Sequence, residues 1–444
     1  MPRPSQTRQL VVWMNGERVG DWTVDARVQH QFRYAQEWLD APDSRPLSLS
    51  MPLRPAAQPY RGPLVEAYFD NLLPDAAEIR RRIQVQFGAV SSAPFDLLAE
   101  IGRDCVGAVQ LLPADQSPGD VRRIDGEELD EAGVAAALRT AVAPAPLGQR
   151  DEQAFRVSVA GAQEKTAFLR HRGHWCKPLG STPTTHLFKL PLGRVGNMRA
   201  DLSMSVENEW LCASIVRAFG LATASCEMAT FGEQRVLIVE RFDRRLSHDS
   251  AWWVRLPQED MCQATGTPPA RRYEADGGPG FREIATLLLG SRNAADDRRN
   301  FLRAQIIFWM LCAIDGHAKN FSVFIEPAGR YSLTPLYNII SAYPILGSGA
   351  HQLAPKKAAM AMAAVGKSKH YRWAEIQPPH WLTTAAQAGL QATARDDAVA
   401  LAARASAVAD EVSLALPAGF PETVAEPIFE GMQSAARRLG EELG

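Results

Sequence analysis

The chain has 444 residues, 46% hydrophobic and 22% charged, values near globular averages that exclude wholesale disorder and a coiled-coil rod and leave room for two or three lobes. Its 48 Lys and Arg against 50 Asp and Glu provide no global basic field, so contact with nucleic acid would have to be local or borrowed from a partner. The six cysteines form no CxxC pair, which disfavours a zinc site and a disulfide framework; with neither an apolar leader at residues 1–20 nor a run of about 18 apolar residues, a reducing cytoplasm and no membrane contact are expected.

In chain order, apolar runs over 10–23 flank Asn15-Gly16 and predict a β-hairpin with a type I′ turn. Leu47, Leu49 and Met51 alternate with Ser48 and Ser50 and predict a strand, while 65–73 and 78–85 have helical spacing. Pro-, Asp- and Gly-rich stretches at 112–126 and 143–153 bracket a predicted helix over 127–142, so a first boundary is drawn at 145. Strands are predicted over 165–170, 186–190 and 235–241 around a helix over 205–219, which makes 146–245 a small α/β lobe. Beyond 245 the pattern is mainly helical, with helices over 281–289, 298–313, 383–416 and 421–439 and one hairpin near 321–334. Lys356, Lys357, Lys367, Lys369 and Arg372 lie in a stretch, 355–373, without acidic residues, read as a solvated loop or as a contact for substrate or phosphate.

The strongest chemical signal is Asp315-Gly316-His317-Ala318-Lys319-Asn320, between an apolar helix and a strand. Phosphoryl transfer needs a carboxylate that accepts the proton of the attacking hydroxyl, and an amide oxygen five residues on can reach a phosphate-bound metal. Asp315 and Asn320 have that spacing, although Asp and Asn also cap ordinary turns. A hairpin through Glu326-Pro327-Ala328-Gly329 returns Tyr337-Asn338 beside the loop, where a kinase holds a second metal ligand. Lys189, in the strand-like THLFKLP, is either a phosphate-binding cation or a surface lysine, with Glu209 as a possible ion-pair partner. Small residues around Ser158, Val159, Ala160 and Gly161 suit a backbone approach to phosphates, or a plain turn. Glu240 and Phe242, where the small lobe ends, are placed to meet a nucleotide base or merely to close a strand.

These residues resemble the HipA family, the kinase half of the HipA and HipB toxin-antitoxin pair. The likeness runs nearly the whole chain, through RPLSLSMPL (45–53), FDNLLPD (69–75), PFDLLAEIGRDCVGAV (94–109), SVAGAQEKTA (158–167), VERFDRR (239–245), LPQEDMCQ (256–263), DGGPG (276–280) and DGHAKNFSVFI (315–325). It implies an α+β, two-lobed protein-kinase-like fold with a mixed α/β N-terminal lobe and a mainly α-helical C-terminal lobe, divided as 1–145, 146–245 and 246–444. It also implies an ATP- and magnesium-dependent serine/threonine kinase that phosphorylates glutamyl-tRNA synthetase and promotes growth arrest and persistence. Asp315 would be the base, Asn320 a metal ligand and Lys189 the phosphate-binding lysine, with His317 near the nucleotide. Ser158 matches the family's autophosphorylated serine, and a phosphoserine there would add roughly 1.5 to 2 negative charges beside the ATP phosphates. The implied partners are a HipB-like helix-turn-helix antitoxin and, through it, operator DNA.

One position departs from the family: Asn338 stands where it has Asp. Magnesium prefers charged oxygen ligands, so a neutral amide should slow transfer by orders of magnitude. Deliberate inactivation of a harmful toxin is the preferred origin, a naturally weak homologue the other. A non-catalytic corepressor and a small-molecule phosphotransferase are competing functions.

Overall fold

The structure, a computed structural model, describes residues 7–142, 163–196 and 199–444. The hairpin forms as its turn chemistry requires: strands Arg8–Met14 and Glu17–Val24 are joined by Asn15 and Gly16, both at positive φ (49° and 87°). These strands are part of a five-stranded antiparallel sheet that also holds His30–Tyr34, Tyr60–Arg61 and Val109–Pro113. One face packs on the helices Pro63–Asp70 and Pro94–Ile101 around Trp22, Phe32, Phe69 and Phe95, with Trp22 stacked 3.9 Å from Phe69.

Residues 47–51, expected as a strand, make only an isolated Ser48–Met51 bridge. Their alternation has another cause: Ser48 and Ser50 donate to the Gln263 carbonyl, and the Leu49 N–H donates to the Glu259 carboxyl. The polar positions are turned toward the later part of the chain, so no neighbouring strand is available to pair with them.

The second sheet is six-stranded and antiparallel, ordered Cys226–Phe231, Gln234–Glu240, His186–Lys189, Lys165–His171, His174–Pro178 and Gly126–Leu129. The helix expected over 127–142 starts later, at Glu131–Val142, because Asp130 caps it by accepting from the Gly133 N–H and the preceding residues pair as an edge strand. That strand and helix, on the N-terminal side of the boundary drawn at 145, join this sheet, where Val134 and Leu138 pack with Phe168, Phe188 and Phe231. Helix Ser205–Ala218 lies against Leu237 and Val239 through Val206.

The rest is mainly helical, built on Phe281–Leu287, Ala294–Met310, Pro378–Gln387, Gln391–Leu414 and Glu422–Leu443 around Phe301, Trp309 and Trp381. The single helix expected over 383–416 is two, separated where Gly389 takes a φ of 72° and the Leu390 N–H returns to the Ala385 carbonyl. The stretch 355–373 is not a solvated loop. It contains the hairpin Ala359–Val365 and Lys369–Arg372, whose Met360, Met362 and Ala364 join the helical core beside Ile376 and Trp381. Between its lysines and arginine runs an apolar segment, AMAMAAV, long enough for a buried strand.

The first sheet is fastened to the later chain by buried charge. The Asp104 carboxylate accepts from Arg244 (2.9 Å), Arg241 (3.3 Å), Arg255 (3.4 Å) and the Thr184 N–H and hydroxyl (3.0 and 2.7 Å), and Arg241 also grips Asp243. Burial would raise the Asp104 carboxyl, but Arg244, Arg241 and Arg255 outweigh it and hold the group far below the usual carboxylate range. Across the same junction Asn15 exchanges two 2.9 Å hydrogen bonds with the Arg255 backbone.

Candidate active site

The loop 315–320 leaves the helix Ala294–Met310 and enters the strand Ser322–Ile325, the middle strand of a small sheet with Gln258–Asp260 and Tyr331–Leu333. Asn320 closes the loop by donating from its side chain to the Asp315 carbonyl at 2.6 Å, and the Asn320 N–H reaches the His317 carbonyl at 2.9 Å. The loop's shape therefore depends on the same asparagine whose spacing from Asp315 marked it in the sequence.

The hairpin returns Asn338 to this loop with a φ of 60°, a left-handed conformation that asparagine tolerates better than most residues. Its amide oxygen accepts from the Lys189 ammonium at 2.9 Å and its N–H2 donates to the Asn320 amide oxygen at 3.1 Å. Lys189 also meets Glu209 at 2.5 Å, both side chains being buried, so it is no surface lysine. A continuous hydrogen-bonded chain thus runs from the Asp315 backbone through Asn320, Asn338 and Lys189 to Glu209.

Asp315, Asn320, Asn338 and Lys189 line a cavity of about 230 Å³ between the second sheet and the helical part. Glu240 and Phe242 border it; Phe242 packs on Phe324 and Tyr337, and the Glu240 N–H is already donated to the Ser225 carbonyl. His317 borders it too, with Nδ1 buried and unpartnered among the described residues, and burial holds its imidazole below its ordinary pKa although Asp315 pulls the other way. Ser158, Val159, Ala160 and Gly161 lie outside the described residues.

Several lining residues were not singled out from the sequence. Lys165 stands opposite Lys189 in strand pairing, and burial, with the neighbouring Lys189 charge, lowers its ammonium to about 7. Lys319 turns to the N-terminal part of the chain, donating to the Asn71 carbonyl and side chain (3.1 and 3.0 Å) with Asp75 at 3.2 Å and Asp260 at 3.9 Å. Burial opposes ionisation of Asp75, but Lys319 and Arg272 keep its pKa below the ordinary value, whereas for Asp260 burial prevails and lifts it to about 6. Tyr273 donates its hydroxyl to the Asp315 carboxylate. Lys165, Lys319 and Asp75 lie inside strings that marked the family resemblance, yet their meeting depends on segments up to 248 residues apart.

Lys165, Lys189, Arg272 and Lys319 border the cavity, and with the unpartnered His317 nitrogen they suit a polyphosphate anion. A magnesium ion is less well provided for. The Asn320 and Asn338 oxygens are neutral, and each already accepts a hydrogen bond, from Asn338 and Lys189 respectively. The residues present thus fit a nucleotide better than its metal.

Residues 10–112 match the HipA N-terminal domain and residues 157–416 the HipA-like C-terminal domain. A putative kinase of Sinorhizobium fredii, Y4mE, is 35% identical over 390 residues, 86% of each chain. The serine/threonine-protein kinase toxin HipA of Shewanella oneidensis is 26% identical over 343 residues, 74% of this chain and 73% of that one. HipA in the Shewanella oneidensis complex of HipA, HipB and operator DNA superposes with a TM-score of 0.78 at 22% identity, covering 98% of this chain and 99% of that one. With both domains matched in order and a relative of this similarity along most of its length, the chain belongs to the HipA family.

Proposed function

We propose that this chain is the toxin of a type II toxin-antitoxin system, an ATP-dependent serine/threonine kinase whose phosphoryl transfer is weakened by Asn338. The observation that carries this reading is the chain of hydrogen bonds from Asp315 through Asn320 and Asn338 to Lys189 along one cavity wall, ending on Glu209. In this reading Lys189, oriented by Glu209, and Lys165 bind the phosphates, His317 approaches them, and Glu240 and Phe242 border the base. The small residues Val159, Ala160 and Gly161 approach the phosphates with their backbone. Asp315 orients the acceptor hydroxyl and takes its proton as the new bond to phosphorus forms and ADP leaves. Asn320 and an aspartate at 338 would hold magnesium; with Asn338 no step is assigned to the metal.

The family's fold and function extend the reading to autophosphorylation at Ser158, glutamyl-tRNA synthetase as substrate, and cytoplasmic growth arrest leading to persistence. The HipB and operator DNA found with the Shewanella protein suggest a HipB-like antitoxin as partner and DNA contact through that complex, which suits the near-neutral charge of this chain. The division at 145 and 245 is kept as a proposal for three functional units.

Intact-mass analysis of the Asn338→Asp chain incubated with ATP and magnesium tests the reading. Phosphate on Ser158 and on added glutamyl-tRNA synthetase is expected; no phosphate on either would end it. A second reading, a corepressor without catalysis, draws on the Asn320–Asn338 amide pairing, which satisfies both groups without a metal. It predicts that this chain tightens antitoxin binding in an operator gel shift while Asn338→Asp stays inactive.

A further inference from the structure

Tyr273 lies in the loop between the short helical turns Pro269–Arg271 and Glu274–Asp276, and its hydroxyl donates to Asp315, the group to which the kinase reading brings an acceptor hydroxyl. The ring is set from several sides. Its edge meets the His317 ring at 5.0 Å, and the Arg272 guanidinium lies 5.0 Å from its centroid. The backbone is held as well: the Tyr273 carbonyl accepts from the Asp276 and Gly278 N–H groups (3.1 and 3.0 Å), and the Arg272 carbonyl accepts from Ala318 in the loop of Asp315 (3.3 Å). Gly278 permits this tight course, since a Cβ there would sit 1.9 Å from the Arg271 carbonyl oxygen. Next in sequence, Glu274 accepts from the Ala363 N–H and pairs with Lys369, tying the loop to the hairpin beyond.

Resting on the kinase reading, we propose that Tyr273 occupies the acceptor-hydroxyl position, so that a serine or threonine hydroxyl must displace its phenol from Asp315 before phosphate can move. Phenol and acceptor offer the same kind of donor, and the phenol holds the Asp315 oxygen Oδ1. Tyr273 is partly exposed and Asp315 exposed, and both line the cavity, so an acceptor from solvent meets the two groups together. Burial and the Asp315 charge keep its proton on, and a neutral donor is what the position requires. The backbone contacts leave side-chain rotation as the route of release. The phenol competes with water for that oxygen in the same way, which limits loss of the phosphoryl group to hydrolysis.

The test compares full chains carrying Asn338→Asp with and without Tyr273→Phe, which keeps the ring and removes the hydroxyl. Dephosphorylated casein and water serve as acceptors. A hydrogen bond to a charged group is strong enough that its removal should lower the KM for casein about tenfold and raise ATP hydrolysis without casein about tenfold. The KM for ATP and the melting temperature should not change. If Tyr273→Phe leaves both acceptor values unaltered, or lowers kcat with acceptor KM unaltered, Tyr273 is a wall or a positioning residue and the proposal falls. If neither chain consumes ATP, the kinase reading fails and takes the acceptor position with it.

Discussion

Replacing Asp104 by asparagine tests the buried junction independently of any activity. The substitution keeps the shape of the side chain and removes the charge that three guanidiniums, those of Arg241, Arg244 and Arg255, share. Asp243 alone would then balance them, through its contacts to Arg241 and Arg244. Breaking a buried ion pair from one side costs about 3–5 kcal/mol because the remaining charge stays desolvated, and this group serves three partners. Urea unfolding followed by tryptophan fluorescence should show that loss as a lower midpoint with an unchanged slope. The pH dependence has a definite sign. Asp104 titrates far below an ordinary carboxyl, so its contribution is complete above the unfolded-state pKa of about 3.9 and is lost as pH falls through the folded-state value. The difference between the two proteins should therefore be constant from pH 7 down to about pH 5 and shrink only in stronger acid. A loss below about 1 kcal/mol at neutral pH would refute the view that this network fastens the first sheet to the rest of the chain.

Asn338→Asp removes the N–H that occupies the Asn320 oxygen and adds a charged ligand; metal stabilisation worth several kcal/mol, at about 1.4 kcal/mol per tenfold, predicts a rise of roughly two to three orders of magnitude in phosphate transfer. Because Lys165 loses its proton near pH 7, ATP affinity measured by calorimetry should fall between pH 6 and pH 8, and Lys189→Met should move that fall to higher pH by removing a neighbouring positive charge. Asp75→Ala leaves Lys319 with Asn71 and a more distant Asp260, so kcat of the Asn338→Asp chain should drop about tenfold with the KM for ATP little changed; equal losses in both would place Asp75 in nucleotide binding instead.

Local chemistry made much of this protein readable in one dimension. The Asn15-Gly16 turn, the apolar spacing of the long helices and the short interval from Asp315 to Asn320 are properties of neighbouring residues, and each forms within its own segment. The extent of the helix after Asp130 and the buried strand inside 355–373 were less legible, since charged residues at their edges masked where pairing begins. Tertiary structure alone decided what Lys189 touches, that Lys319 is held by residues of the first domain, and that Tyr273 rests on Asp315. A side chain's role depends on which distant charge or hydroxyl lies within about 3 Å of it, a distance at which hydrogen bonding acts; periodicity along the chain carries no record of that, and only the packing of the lobes brings Asn71, Lys189, Tyr273 and Asn338 around one cavity.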